Sequence, residues 1–125
     1  MKGIREADMH APLSAYLKEQ GYKISSEVRN CDLVARKQDE VIIIELKTRV
    51  SVSLLIQAAD RKELSEAVYI AVPVPAGKAS LPNMKGLRKL LKRLEIGLIC
   101  VHFLKTKTKI EIEEHPKPFY PRRRH

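Results

Sequence analysis

A carboxylate and an ammonium group stand two residues apart at the end of an apolar run in this sequence. The run covers residues 41–44, and Glu45, Leu46 and Lys47 follow it directly. Four consecutive β-branched aliphatic residues predict a strand that is covered on both faces. Because side chains alternate along a strand, we expect Glu45 and Lys47 to share one face. Charge is costly where it is buried, so these groups need either a structural ion pair or a chemical task.

A second carboxylate, Asp32, precedes Glu45 by thirteen residues, near the start of the preceding predicted strand. Mg²⁺ and Mn²⁺ prefer oxygen ligands, and such an ion can activate water and stabilise charge on a phosphate. If the strands bring Asp32 and Glu45 together, each offers one ligand, and the Leu46 carbonyl can add a third. Lys47 can then orient the water, lower its pKa or neutralise the phosphate. A purely structural Glu45–Lys47 pair has no need of Asp32.

The elements that must position these groups follow the order helix, three strands, helix, strand. Apolar residues with helical spacing predict the first helix, and Gly21 ends it. Ser51 or Ser53 begins the second helix, which we expect to run to about residue 64. Pro73 stops the last of these strands. The strands are predicted over residues 22–28, 31–37, 41–47 and 68–72, with a turn at 38–40.

Positive charge is concentrated in the last part of the chain. The net charge is +9, and residues 78–125 carry 13 Lys or Arg against 4 Asp or Glu, whereas residues 1–77 carry 11 of each. This asymmetry indicates a polyanion partner, most often nucleic acid, although a basic segment also serves solubility or binds an acidic protein. Asn83 can cap an amphipathic helix in this segment. Its exposed positions are basic, namely Lys85, Lys89, Lys92 and Arg93.

Length and composition predict one domain with a modest core, because 44% of the 125 residues are hydrophobic. Cys31 and Cys100 lack a CxxC partner and are expected to be buried thiols in a reducing compartment. Because there is no apolar signal core or membrane span, we expect a soluble cytoplasmic protein. We expect one domain over residues 1–114, with its core in 1–73 and a basic helix and strands in 83–114. These strands are a buried strand at 96–103 and an exposed edge strand at 105–112. Residues 115–125 are expected to form an extended or disordered basic tail, which contains Arg122, Arg123 and Arg124.

The element order and the Asp32, Glu45-Leu46-Lys47 pattern resemble the PD-(D/E)XK phosphodiesterase superfamily. A poorly characterised bacterial branch is the most similar part of it, through residues 45–48, 54–61 and 68–73. The resemblance covers roughly the first three-fifths of the chain. It implies an α/β fold with an αβββαβ restriction-endonuclease-like core, a mixed central sheet flanked by helices. It also implies a metal-dependent nuclease that acts on nucleic acid, DNA by analogy, with Mg²⁺ or Mn²⁺ on Asp32 and Glu45.

The resemblance further implies a third acidic residue from the first helix. Glu6 is the position that aligns with it, while Asp8 competes and is better explained as the N-cap of the helix. Two starts are open for this helix. If Asp8 is the N-cap, Pro12 falls in the first turn, where its missing N–H costs little. A kinked start near Ile4 instead places Glu6 on the helix.

Gln57 and Arg61 lie four residues apart on the second predicted helix, where superfamily relatives often place a polar residue beside the site. Gln57 can hold the attacking water or a phosphate oxygen, or it can belong to the solvated edge of the helix, and both interpretations stay open. For Arg61, pairing with neighbouring acids is favoured over a grip on phosphate. Glu27, at the end of the first predicted strand, is expected to be exposed.

The sequence supports two functions of different classes. The first is a nuclease that uses Asp32, Glu45, Lys47 and Gln57, gripping phosphates through the basic helix. The second is a noncatalytic nucleic-acid-binding module in which Glu45 and Lys47 neutralise each other. A weaker third function is an adaptor for an acidic protein. A single small nuclease domain that cuts both strands of a duplex would act as a homodimer.

Overall fold

A computed structural model describes residues 3–26 and 32–120 of the chain. The described residues form three helices and six strands in one α/β arrangement. In chain order these are α1 (Glu6–Glu19), β1 (Lys23–Ser26), β2 (Leu33–Lys37), β3 (Glu40–Leu46), α2 (Val52–Arg61), β4 (Ala67–Pro73), α3 (Met84–Leu94), β5 (Gly97–Phe103) and β6 (Thr108–Glu114).

All six strands belong to one mixed sheet, in which spatial order equals chain order. The first three form an antiparallel meander, β4 and β5 then run parallel to β3, and β6 closes the sheet as an antiparallel edge strand. The parallel pairs β3–β4 and β4–β5 are joined through α2 and α3, as parallel pairing requires. The predicted α/β class with a mixed, helix-flanked sheet is therefore confirmed, as are the added basic helix and C-terminal strands.

Helices cover the sheet on both faces, which explains the uninterrupted apolar runs of β3 and β4. On one face, Met9, Leu13 and Leu17 of α1 pack on alternate sheet residues such as Ile44. On the other face, α2 and α3 pack over a second cluster that includes Ile43. Neighbouring residues of β3 therefore enter opposite layers. Glu45 is two residues after Ile43, so its side chain is on the same face of the sheet, the face covered by α2.

Close packing at the α1 face leaves no room for a side chain at Gly97. A Cβ there would lie 2.3 Å from Cδ2 of Tyr69 and 2.9 Å from the Glu114 carbonyl oxygen. The Tyr69 ring occupies this space, and its hydroxyl lies 2.8 Å from Nδ1 of His115. Because residue 97 of β5 has no side chain, Tyr69 of β4 and the backbone of Glu114 in β6 can pack closely against it.

The first helix begins before Asp8, at the earlier of the two starts that the sequence leaves open, so Glu6 is on the helix and Asp8 is not its N-cap. Arg5 is the N-cap and Glu6 the first helical residue. Asp8 contributes to the same end from inside the helix, because its Oδ2 accepts the backbone N–H of Arg5 at 2.8 Å. Pro12 lies within the helix. Met9, which follows Asp8 in the helix, is completely buried.

The second helix begins as predicted and ends sooner. Ser51 is the N-cap, and its Oγ accepts the Leu54 N–H at 3.1 Å. The helix ends at Arg61, three residues before the predicted end. After it, Ser65 Oγ donates to the Val41 carbonyl at 2.6 Å, which ties the following turn to the sheet.

Two predictions in the basic half need correction. Asn83 occupies the N-cap position of α3, but its side chain makes no capping hydrogen bond, since its backbone is left-handed with φ 54°. The edge strand begins at Thr108 rather than at residue 105. A turn closed by the Leu104 N–H on the Lys107 carbonyl at 2.9 Å takes up the intervening residues.

Several other predictions concern the ends of the chain and the thiols. Residues 115–120 form no helix or strand, yet they contact the body, since the Phe119 N–H donates to Glu95 Oε2 at 2.9 Å. Cys100 is buried, and burial raises the pKa of its thiol to about 12. Across residues 3–26 and 32–120, no helix is long and apolar enough to cross a membrane. Glu27, Cys31 and residues 121–125, with Arg122, Arg123 and Arg124, lie outside the described residues.

Candidate active site

The structure brings Asp32 and Glu45 together, as the sequence predicts. The antiparallel register of β2 and β3 pairs Leu33 with Ile44. One further step along this register sets Asp32 opposite Glu45, and directly opposed residues have side chains on the same face. The two carboxylates are therefore cross-strand neighbours at the carboxyl end of β3.

Glu45 is a buried carboxylate, with 2% of the residue exposed. Burial raises the pKa of Glu45, and the nearby Asp32 carboxylate raises it further, while the Arg61 guanidinium opposes both effects. Arg61 Nε lies 3.2 Å from Glu45 Oε2, and its side chain is itself only 20% exposed. Arg61 is thus the cationic partner that makes burial of Glu45 tolerable. Arg61 thus has a structural partner, although that partner lies on β3 rather than among the acids near it on the helix, and its contact with a phosphate stays a prediction.

Asp32 has a structural role at the same place. Its Oδ2 accepts the backbone N–H of Leu46 at 2.8 Å. This hydrogen bond fixes the end of β3, where the Lys47 N–H also donates to the Ala71 carbonyl at 3.1 Å. The sequence argument that only a metal site needs Asp32 is therefore weakened, because the carboxylate also satisfies a backbone donor.

Lys47 does not pair with Glu45 as the structural interpretation predicted. β3 ends at Leu46, so strand alternation no longer fixes the direction of Lys47. Its Nζ lies 3.6 Å from Oε2 of Glu6, and the two side chains are 38% and 44% exposed. Because Glu6 lies on α1, this contact links the end of β3 to the helix layer opposite α2. Lys47 therefore stands at the end of β3, two residues after Glu45, with its ammonium group on Glu6 rather than on either carboxylate of the pair.

Gln57 carries an orphaned polar atom. Its Oε1 is buried and accepts no hydrogen bond, although an unsatisfied buried acceptor costs about 1–3 kcal/mol. Gln57 lies one turn before Arg61 on α2, and Leu54 and Ala58 on either side of it are buried against the sheet. The carbonyl oxygen is thus on the helix face that also supplies the partner of Glu45. Of the two open interpretations, the one with Gln57 as a solvated edge does not account for this burial.

The donor chemistry of the carboxylate pair fits a hard divalent cation held largely through water. Mg²⁺ is typically bound by one or two carboxylates and keeps several waters, so Asp32 and Glu45 suffice in number. Within residues 3–26 and 32–120, no group of three or more His, Cys, Asp or Glu side chains could hold a metal ion. Glu6 is directed to Lys47 instead. An ion on Glu45 would compete with Arg61 for Oε2.

Of the predicted basic residues on α3, some are simply exposed to solvent and others contact groups within the protein. Lys85 and Lys89 are exposed. Lys92 Nζ lies 3.7 Å from Glu114 Oε1, and the Arg93 guanidinium carbon lies 5.9 Å from the centre of the Phe119 ring. The two residues predicted at the C-terminal end of this surface are thus partly engaged within the protein. Arg88, which the sequence analysis did not select, is bound to Glu114 at 2.9 Å.

Comparison with family models, with curated proteins and with solved structures gives no significant match to this chain. What the site can do must therefore be argued from its own residues. Those residues offer two adjoining carboxylates, one ammonium group at the end of β3, and one orphaned amide oxygen on the neighbouring helix.

Proposed function

We propose that this protein is a metal-dependent phosphodiesterase, a nuclease of PD-(D/E)XK type that hydrolyses nucleic acid. The juxtaposition of Asp32 and buried Glu45 at the end of β3 carries the proposal. A protein core tolerates two adjoining carboxylates when cations compensate them or when one of them is protonated, and a divalent cation meets the first condition. The helix, antiparallel meander, helix and parallel strand that surround the pair follow the order that the resemblance implies for a restriction-endonuclease-like core.

Each residue has a role that follows from its position. Asp32 and Glu45 would hold Mg²⁺ or Mn²⁺, which when bound supplies positive charge for the phosphate and lowers the pKa of a coordinated water. Lys47 donates hydrogen bonds to phosphate oxygens or to the attacking water, and Glu6 contacts its ammonium group. The orphaned Oε1 of Gln57 can accept a hydrogen bond from that water.

The partner class follows from charge. Lys85 and Lys89 offer exposed positive charge that can contact phosphates without reading sequence. DNA is favoured over RNA by analogy with the superfamily alone. Cleavage of both strands of a duplex would require two copies of the domain, since a homodimer places two sites across the strands.

A noncatalytic nucleic-acid-binding module is the second candidate, and specific contacts favour it. Asp32 and Glu45 each have a partner inside the protein, in the Leu46 N–H and the Arg61 guanidinium. These contacts would hold the carboxylate pair as a structural unit with no ion at all. The form of this candidate in which Glu45 and Lys47 neutralise each other is not supported, because each has a different partner.

The test is cleavage of labelled linear duplex, single-stranded, flap and four-way-junction DNA with Mg²⁺ or Mn²⁺ at low salt. Glu45→Gln removes a charge at the carboxyl end of β3, and Glu40→Gln removes one at the exposed amino end of the same strand. Lys47→Met is paired in the same way with Lys23→Met, an exposed residue of β1.

We expect the wild type and both control variants to cut, and Glu45→Gln and Lys47→Met to bind DNA without cutting it. Circular dichroism and thermal melts confirm that each variant is folded. No cleavage of any substrate, with equal DNA binding by all variants, would reject the nuclease and leave the binding module. Cleavage that persists in Glu45→Gln would reject this site.

A further inference from the structure

A cavity of about 490 Å³ lies beyond the carboxyl ends of β3 and β4, where the chain leaves the candidate active site. Its lining includes Thr48, the residue after Lys47, and Pro73 at the end of β4. Its walls are largely aliphatic, with no aromatic side chain. The lining residues are Thr48, Arg49, Val50, Pro73, Pro75, Leu81, Pro82, Asn83, Gly86, Leu87 and Leu90. This volume lies in the usual range for small-molecule and cofactor sites.

Gly86 lies in the lining of this cavity, and neither packing nor backbone conformation requires a glycine there. A Cβ at residue 86 would meet nothing within 4 Å, and the backbone is not in the left-handed region. Glycine is nevertheless a poor helix former, and this one stands in the first turn of α3. Gly97 is the opposite case, because its neighbours exclude a Cβ. Gly86 is exposed and borders the cavity, so a side chain introduced there has room to enter it.

The polar groups of the cavity suit a nucleotide. Asn83 has a side chain that makes no capping hydrogen bond, although it stands at the N-cap of α3. Its amide offers both a donor and an acceptor, as the edge of a nucleobase does. Arg49 is exposed and can pair with a phosphate, and aliphatic walls can cover the two faces of a base.

We propose that this cavity receives one nucleobase of a single-stranded nucleic acid segment, adjacent to the phosphate at Asp32 and Glu45. Arg49 contacts the neighbouring phosphate, and Asn83 hydrogen-bonds the base edge. The inference rests on the proposed function and adds a substrate feature to it, because a base can enter only when it is unpaired or unstacked. Continuity of the chain from Lys47 to Thr48 and Arg49 couples the cavity to the site.

The experiment places 2-aminopurine at successive positions of a single-stranded DNA oligonucleotide and measures its emission with the full-length protein and Ca²⁺. The protein contains no Trp, so excitation of the probe meets little background. A base that leaves its stack and enters an aliphatic cavity brightens several-fold. We expect brightening at one position in the wild type and its loss in Gly86→Leu, whose side chain fills the cavity.

Gly86→Ala is the matched control, because it changes the helix in the same way and leaves most of the cavity empty. It should retain the brightening, while Gly86→Leu should weaken binding about tenfold, equivalent to about 1.4 kcal/mol. If the wild type cuts DNA but no position brightens, or if Gly86→Leu brightens equally, the cavity inference is overturned and the nuclease stands. If the oligonucleotide neither binds nor is cut, both fail. If the wild type binds a hydrophobic dye that Gly86→Leu does not bind, and no position of the oligonucleotide brightens with the wild type, the cavity takes an apolar ligand and the inference is also overturned.

Discussion

Arg61→Met should destabilise the protein without metal and increase the stabilisation that Mn²⁺ provides. Arg61 is the cation that compensates Glu45, with Nε 3.2 Å from Oε2. Without it, Glu45 remains buried beside Asp32, and its pKa rises further because the charge and the hydrogen bond of Arg61, which both lower it, are removed. A divalent cation can replace the lost charge, and it no longer competes with a guanidinium for the same oxygen.

The size of the effect follows from burial. Breaking a buried ion pair by removing one partner costs about 3–5 kcal/mol. Arg61 is 20% exposed, so water can reach part of the gap, and we expect about 2–4 kcal/mol. The entropy of unfolding is about 2.1 cal/mol/K per residue, which for 125 residues converts this loss into a Tm lower by about 8–15 °C. A tenfold gain in Mn²⁺ affinity would return about 1.4 kcal/mol, or about 5 °C, at saturating ion.

The assay is differential scanning calorimetry of wild type and variants with chelator and with a Mn²⁺ titration. Arg88→Met is the matched control, since Arg88 also binds a glutamate, Glu114, at 2.9 Å but is 42% exposed. Glu114 is 10% exposed, but it keeps Lys92 at 3.7 Å as a second cation, so removal of the partly exposed Arg88 should cost less than removal of Arg61. Its Mn²⁺ response should equal that of the wild type, because Arg88 lies away from Asp32 and Glu45.

Two results would refute this reasoning. Equal losses in Arg61→Met and Arg88→Met would show that Glu45 does not depend on Arg61 for its charge. If Mn²⁺ raises the Tm of Arg61→Met no more than it raises that of the wild type, the guanidinium and the metal do not share Glu45. Glu45→Gln should abolish the Mn²⁺ shift in either background, which ties the response to this carboxylate.

Three further predictions follow from the packing and charges. The folded-state pKa of Glu45 is above its ordinary value of 4.5, so the protonated side chain stabilises the fold below that value, and this stabilisation is lost as pH rises through the raised pKa. The free energy of unfolding of Glu45→Gln, measured in urea, should therefore increase relative to that of the wild type from pH 4 to pH 8. Gly97→Ala should destabilise by about 1–3 kcal/mol in the same assay, because its methyl group overlaps an aromatic ring, whereas Gly86→Ala should stabilise by about 0.4–1 kcal/mol. Replacing Lys85 and Lys89 by Gln should reduce the slope of log K against log salt for single-stranded DNA by up to about 1.4, and an unchanged slope would remove α3 from the interface.

Much of the fold could be predicted because local patterns and tertiary packing agree. The apolar run of β3 is buried on both faces, and Ser51 caps α2 as its residue type and position indicate. The start of α1 was harder to predict, because Asp8 can cap either as the N-cap or from the third helical position. The residues near Asp8 do not by themselves decide between these, and the structure shows the earlier start, with Arg5 as the N-cap. Helix ends that depend on tertiary contacts are not encoded in neighbouring residues.

The sequence predicts that Asp32 and Glu45 lie together, but it does not predict which residues contact the side chains of the candidate site. Strand register brought Asp32 to Glu45, and register follows from the apolar pattern. The pairing of Glu45 with Arg61 and of Lys47 with Glu6 could not be predicted, because it depends on which helix covers which face. Lys47 lies one residue beyond the strand, where alternation no longer applies.

The charges at the site favour an ion as a necessary part of substrate binding. Two carboxylates, on Asp32 and Glu45, face one cation, on Arg61, so the ionised cluster carries one net negative charge, and the separate contact of Lys47 with Glu6 adds none. A phosphodiester is also negative, and the cluster alone would repel it. A divalent cation changes the cluster to one net positive charge, which a single phosphate neutralises. A module that only bound nucleic acid would gain nothing from placing its backbone here. Stronger binding of DNA with Ca²⁺ in the wild type, and no such gain in Glu45→Gln, would therefore separate the nuclease from the binding module even before any bond is cut.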